Sequence, residues 1–226
     1  MGRLGVVPDT AHLRRDYGSA HLDDSAVAST WREQFDLWFS AAQPLNQPQA
    51  FVLATADERG RPRARTLLMK SWDDAGFVWA TNYESRKAAD LATNPYAGIC
   101  FSWVDLERQV HAEGQVTRTS SEESDAIFAA RPRGAQLAAW ASPQSQPLAG
   151  GRAELDKRVA DVTAHFGDRP VHRPPNWGGY RLSPERVEFW QGRPDRLHDR
   201  VRFLLVTEQH SSLGVPPRWI RERLGP

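Results

Sequence analysis

Cysteine is nearly missing from this chain. Among 226 residues only Cys100 occurs, which excludes an intrachain disulfide and any metal site built from several thiolates. It lies in the apolar run Ala97-Gly-Ile-Cys-Phe101 and reads as a small core residue. An excess of charge of one sign is missing too. Lys+Arg 29 against Asp+Glu 28 leaves a net charge of +1, whereas a dedicated nucleic-acid binder carries a basic excess on one face. No nucleic-acid partner is expected. No apolar run approaches the about 20 residues a membrane helix needs, and Val6-Val7-Pro8-Asp9 breaks off before the apolar core of a signal peptide could form. The expectation is a soluble, cytoplasmic protein with no membrane partner. The phosphate-loop, dinucleotide-fingerprint, Gly-x-Ser-x-Gly and His-Glu-x-x-His patterns are also absent. His111, His165, His172 and His210 are too scattered to suggest a metal site, so none is expected.

What is present is a succession of short elements. Residues 1–28 are polar, weakly patterned and read as a mobile arm, and 29–226 as a single domain. Thr30 and Glu33 form a capping-box pair before a helix over Trp31–Ala42, in which Trp31, Phe35, Trp38 and Phe39 recur at helical spacing. Strands are expected at Ala50–Ala56, Arg63–Ser71 and Phe77–Thr81, joined by hairpin turns. A helix over Ser85–Thr93 stops at Asn94-Pro95, and strands resume at Ala97–Trp103 and Arg108–Thr117. The middle is helical: Ser120 and Glu123 suggest a second capping box before Ser124–Ala130, a further turn or two spans Ala135–Ala141, and Leu155, Val159, Val162 and Phe166 make an apolar stripe in Arg152–Phe166. After a loop at Pro174–Gly179 come strands at Tyr180–Ser183, Arg186–Gln191, Arg200–Val206 and Arg218–Arg223, with a polar loop at Thr207–Pro217. Helices interspersed through an antiparallel sheet predict an α+β, mainly antiparallel, barrel-like domain.

Several clusters could carry chemistry. In Glu188-Phe-Trp-Gln-Gly-Arg193-Pro-Asp-Arg196-Leu-His198-Asp199-Arg200 an aromatic strand ends in a turn. Arg196, His198 and Arg200 would share a face if the chain stayed extended, an arrangement suited to a flat anionic ligand. In Thr81–Ala88, Arg86 and Lys87 open a helix, where cations oppose the macrodipole. A bound phosphate would resolve that conflict; otherwise they are two solvated cations. Arg65 and Lys70 bracket a strand with opposite parity, so in an unbroken strand they would touch different groups. Arg131-Pro-Arg133 lies near a helix C-terminus, and Trp140–Ser145 offers amides and hydroxyls.

Taken in order, these segments resemble the pyridoxine/pyridoxamine 5′-phosphate oxidase family. The matching segments are His12–Tyr17, Arg65–Lys70, Thr81–Ala88, Arg108–Val110, Arg131–Gln136, Ala139–Ser142, Gln144-Ser145, Trp177–Gly179, Glu188–Gly192, Arg196–Arg200 and Arg223–Pro226. The resemblance implies an FMN-binding split β-barrel with peripheral helices, working as a homodimer with FMN at the subunit interface. It also implies oxidation of pyridoxine or pyridoxamine 5′-phosphate by O2, giving pyridoxal 5′-phosphate and hydrogen peroxide. Carried over by position, Arg65, Thr66, Leu67, Leu68, Met69, Lys70, Thr81, Arg86, Lys87, Gln109, Gln144, Ser145, Trp190 and Arg200 would hold FMN, several of the last four from the partner chain. Lys70 and Arg131 would hold the phosphate of the phosphorylated pyridine substrate. Arg196, Leu197 and His198 would cover its ring, with Arg196 and His198 catalytic, and Arg14 and Tyr17 would close the pocket.

The chain departs from the family pattern at Ile127 and Ala135, where a tyrosine and a serine usually contact the substrate phosphate. Ala80 replaces an aromatic residue and Ser102 a proline. Two other readings follow: an FMN oxidase of another planar reduced ring, dihydrophenazine-like, which a more apolar phosphate end would suit; or a flavin- or pyridoxal-phosphate-binding module without turnover.

Overall fold

The computed structural model describes residues 16–18, 20–207 and 217–226. Its eight strands are β1 (Ala50–Ala56), β2 (Pro62–Asp73), β3 (Gly76–Asn82), β4 (Tyr96–Trp103), β5 (Arg108–Arg118), β6 (Trp177–Gln191), β7 (Asp199–Val206) and β8 (Arg218–Leu224). They form one antiparallel sheet in the order β3-β2-β1-β4-β5-β6-β7-β8, and an additional β3–β6 pairing closes the first six into a barrel. This is the expected split barrel.

The split occurs in β6. One edge of this strand pairs with β5 along its length. The other edge pairs with β3 over Trp177–Leu182 and with β7 over Arg186–Gln191. Pro184 sits at the changeover, where a residue without an N–H costs no ladder bond. The β5–β6 register shifts there at Gly114, and a Cβ on Gly114 would lie 2.0 Å from the Ser183 carbonyl oxygen. The sequence expectation of two strands after a Pro174–Gly179 loop is therefore corrected: Trp177–Gln191 is one strand, because Gly114 lets it pass the proline unbroken.

Helix α1 (Trp31–Ala42) has the capping box read from sequence, with the Thr30 hydroxyl accepting the Glu33 N–H and the Glu33 carboxylate accepting the Thr30 N–H, both at 3.1 Å. It lays Phe35 against Phe77 (ring centroids 5.0 Å apart) and Phe101 (5.2 Å) inside the barrel. Burying such a ring contributes about 2–3 kcal/mol. Leu22 and Val27 join the same core. Helix α2 (Arg86–Thr93) links β3 to β4, while α3 (Ser121–Ala129), α4 (Arg133–Ala141) and α5 (Gly151–Phe166) lie between β5 and β6. They carry a second cluster of Phe128, Leu137, Phe166, Val171 and Trp177. The stripe expected on α5 is only partly realised: Phe166 is buried, whereas Leu155, Val159 and Val162 are half-buried. The expected loop at Thr207–Pro217 falls almost entirely outside the described residues. Among them, no helix is long and apolar enough to cross a membrane, and no cluster of His, Cys, Asp and Glu could hold a metal ion.

Candidate active site

A cleft of about 700 Å³ opens beside β2 and the start of α2. Arg63, Arg65, Thr66, Leu67, Arg86, Lys87, Gln144 and Ser145 line it together with Ala64. Arg63 and Arg65 share a face because β2 alternates. Their counterion is Asp90, buried on α2, which pairs with Arg63, lies 3.6 Å from an Arg65 nitrogen and accepts the Thr55 hydroxyl at 2.7 Å. Arg65 also donates to the Leu53 carbonyl (3.1 Å) and to Thr55 Oγ1 (2.8 Å), so its guanidinium is held before any ligand arrives. Asp57 accepts from both Arg61 and Arg63, and the Arg61 guanidinium holds its carboxyl down at about 2.

Lys87 is the buried cation of this cleft. Its Nζ donates to Thr81 Oγ1 (2.9 Å), Ser85 Oγ (3.1 Å) and Gln144 Oε1 (2.9 Å). Burial, with a smaller contribution from the charge of Arg65, lowers its amine to about 8. Ser85 faces Lys87 and makes no side-chain cap, so α2 begins with first-turn amides lacking that partner. The family pattern did not supply Asp90, Thr55 or Asp57.

Lys70 and Arg131 form a second cationic centre. Met69 pairs with Trp79 and Ser71 with Val78, leaving Lys70 as the extra residue of a bulge. The parity argument for an unbroken strand therefore does not apply. Lys70 keeps an exposed surface, and partial desolvation followed by the charge of Arg131 lowers its amine. Arg131 stacks over Trp177 at 4.7 Å and donates to the Ala135 carbonyl at 2.7 Å, while its Nε is buried without a hydrogen-bond partner. Ile127 packs into the second hydrophobic cluster. Arg133 turns away to the Gly167 and Arg169 carbonyls and is no substitute for missing phosphate donors.

The segment after β6 is not extended as expected. Pro194–Arg196 is a short 3-10 turn with Asp195 and Arg196 left-handed (φ 56° and 62°), because the chain must turn before β7. Arg196 and Leu197 are exposed, and Arg200 alone of the expected trio lies in a strand. The His198 ring packs on Trp190 at 4.7 Å, and Tyr17 closes edge-on over both rings, at 5.6 Å from Trp190 and 5.4 Å from His198. His198 Nδ1 accepts the Arg193 N–H at 3.2 Å, so the neutral imidazole carries its proton on Nε2. Arg14 lies outside the described residues.

Gln109, Trp190 and Arg200 line a separate cleft of about 320 Å³ with Cys100, His111, Glu188 and Pro226. Arg200 is paired with Glu188 through two nitrogens, at 2.7 and 3.1 Å. Cys100 is half-buried on this cleft instead of in the core, a correction that follows from its place on the outward parity of β4. Thus a single chain brings Arg65, Thr66, Leu67, Arg86, Lys87, Gln144 and Ser145 together, with Thr81 behind them. It does not bring Gln109, Trp190 or Arg200 into that cleft. Leu68 is exposed, and the Met69 side chain is buried in the core.

Comparison with known proteins gives a consistent result. The family model described as pyridoxamine 5′-phosphate oxidase matches residues 40–166, and that of the pyridoxine 5′-phosphate oxidase C-terminal dimerisation region matches 177–226. A Paraburkholderia phytofirmans protein named pyridoxine/pyridoxamine 5′-phosphate oxidase is 49% identical over 96% of this chain and 98% of its own. A Rubrobacter xylanophilus protein of the same name is 50% identical over 98% and 99%. The crystal structure of PhzG from Burkholderia lata, in complex with tetrahydrophenazine-1-carboxylic acid, superposes with a TM-score of 0.82 at 28% identity, covering 92% of this chain and 99% of that one.

Proposed function

This chain belongs to the pyridoxamine 5′-phosphate oxidase family, and from that premise we propose that it is a homodimeric FMN-dependent oxidase of pyridoxine and pyridoxamine 5′-phosphate. Pyridoxine phosphate and O2 give pyridoxal phosphate and hydrogen peroxide; with pyridoxamine phosphate, water enters and ammonia leaves. The observation that carries the reading is the presence of two distinct cationic centres, Arg65–Lys87 and Lys70–Arg131. They suit two phosphorylated ligands, a cofactor and a substrate.

The first centre fits FMN. Arg65, Arg86 and Lys87 converge on a helix start without a side-chain cap, and Asp90, the one carboxylate near Arg65 among the described residues, is also paired with Arg63. A phosphate there would accept from Arg65, Arg86 and first-turn amides, and from Lys87 in exchange for one of the three acceptors its ammonium already holds. Thr66, Leu67, the backbone of Leu68, Met69 and Lys70, Thr81, Gln144 and Ser145 would hold the rest of the molecule. Gln109, Trp190 and Arg200 would complete the site from the partner subunit. Bound FMN supplies acceptance of two electrons from the substrate carbon and their return to oxygen.

The chain's own contribution is orientation and charge. Lys70 and Arg131 would neutralise the substrate phosphate, with the orphaned Arg131 Nε as a ready donor. The trio of Tyr17, Trp190 and His198, packed edge-on and tilted, would give the substrate ring an aromatic wall that limits water. His198 Nε2–H would donate to a ring substituent, and Arg196 would lie over the substrate. Orientation of this kind supplies a large part of the rate enhancement where a cofactor carries the redox chemistry.

The competing reading, oxidation of a dihydrophenazine-like ring, draws on Ile127, Ala135 and the superposition with PhzG. The relatives at half identity over nearly the whole chain favour the phosphorylated pyridine. Air oxidation assays decide: pyridoxamine 5′-phosphate should give peroxide and an aldehyde absorbance. Yellow protein that ignores this substrate but oxidises a non-phosphorylated ring would transfer the assignment, and flavin binding without any oxidation would leave only a binding module.

Two further outcomes are expected. Ala135 sits where its carbonyl already holds Arg131, so Ala135→Ser adds a hydroxyl beside that guanidinium. It should lower KM for phosphorylated substrate about tenfold, the worth of one hydrogen bond to a charged group; an unchanged or higher KM contradicts the account of this departure. FMN affinity should also depend on Lys87. In the cofactor-free protein its amine loses its proton near 8, whereas phosphate favours the charged form. Affinity is therefore full below that pH and weakens as pH rises through it, with proton uptake on binding. Titrations with FMN at pH 7 and pH 9 check this, and equal affinities would contradict it.

A further inference from the structure

We propose that Glu107 is a positioning residue that latches residues 16–18 over the ring site, seating Tyr17 against Trp190 and His198. The proposal rests on the reading of those aromatic groups as the substrate-ring subsite. Glu107 follows the turn Val104–Leu106 and is left-handed, with φ 55°, a conformation that costs a non-glycine residue about 1 kcal/mol. Both oxygens of its carboxylate accept the Gly18 N–H, at 2.9 and 2.8 Å. Its carbonyl accepts the Gly192 N–H at 2.7 Å and the Gln191 amide at 3.2 Å. One residue thus ties the start of β5, the end of β6 and the N-terminal segment together.

Gly192 forms the other half of the seat. A Cβ there would lie 2.7 Å from Tyr17 Cδ1 and 3.0 Å from Glu107 Cβ, so the tyrosine ring rests on bare backbone. A second carboxylate anchors the segment further along: Asp199 accepts the Leu22 N–H at 3.1 Å and is itself held by Arg223 (2.9 Å) and Arg193 (3.2 Å). Two carboxylates thus pin the chain that follows the tyrosine, at Gly18 and at Leu22. Removing the Glu107 carboxylate should free Tyr17 without disturbing the cations of the flavin cleft.

Glu107→Gly separates this role from a merely structural one, since glycine takes the left-handed backbone at no steric cost but lacks the carboxylate. Two readouts apply to the FMN-loaded protein: amide exchange at Gly18, and KM against kcat for pyridoxamine 5′-phosphate. E107G should speed Gly18 exchange and raise KM each by about tenfold or somewhat more, the low end of what one charge-assisted hydrogen bond is worth, with kcat nearly unchanged and flavin retained. Glu107→Gln, which keeps one acceptor oxygen, should fall between. Gly192→Ala should reproduce both effects with Glu107 intact, because its methyl occupies the place of the tyrosine. Wild-type exchange and KM in E107G would overturn the proposal; should E107G fail to fold, wild-type exchange in G192A would do so. Wild-type protein that oxidises no phosphorylated pyridine contradicts the substrate reading alone, and Gly18 exchange then still decides the latch.

Discussion

Replacing His198 with alanine will slow oxidation of pyridoxamine 5′-phosphate roughly a hundredfold, the scale expected when a group that orients the reacting carbon is lost, while FMN stays bound. The imidazole is fixed from two sides: Trp190 packs on its ring, and the Arg193 N–H occupies Nδ1. Only Nε2 is left to face a ligand. Arg196→Ala should act in the same direction, since Arg196 is exposed on a left-handed turn and makes no contribution to the core. Steady-state kinetics with a flavin count per protomer check both. Loss of flavin in either variant would show that the roles are wrongly divided between the two ends of the site.

Lys87→Met is expected to have the opposite signature. The thioether keeps the length of the side chain and removes a charge that burial already disfavours. A phosphate then loses one charge-assisted partner, and FMN should bind about ten- to a hundredfold more weakly, at 1.5–3 kcal/mol per such bond. Excess FMN should restore kcat, because Lys87 lies with Arg65 and not with Lys70 and Arg131. Lys157→Met on the exposed face of α5 is the control and should leave affinity unchanged. Fluorescence titration measures it; equal affinity in K87M would remove Lys87 from the phosphate site.

The barrel was largely legible because local patterns agreed with the tertiary structure. Thr30 and Glu33 marked the start of α1 to the residue, and the hairpin turns delimited β1 to β3. The failures have physical reasons. Pro184 looked like a strand end, and only the partner strand's Gly114 shows why β6 continues. Periodicity could not reveal the bulge at Lys70, since bulges belong to a pair of strands. The alternate spacing of Arg196, His198 and Arg200 suggested one face, but Pro194 and the turn before β7 break the extended chain. Charges were easier to list than to pair. Asp90 and Glu107 each act on residues distant in sequence, and neither belongs to a local motif that announces its role. The resemblance marked the positions of the two cationic centres, while the structure supplied the carboxylates that hold Arg65 and the Tyr17 segment in place.

The central claim is that the cofactor site is shared, with Lys87 from one protomer and Arg200 from the other. A mixed dimer tests it directly. Lys87→Met and Arg200→Ala homodimers should each bind FMN poorly at limiting cofactor. In a dimer with one subunit of each kind, a shared site places both substitutions in one cleft and leaves the other intact. The account predicts one tightly bound FMN per mixed dimer, with activity recovered to about half of wild type, the fraction expected for one intact site in a two-fold symmetric pair. A mixed dimer as poor in flavin as its parents would contradict it, since each cleft would then be built from a single chain.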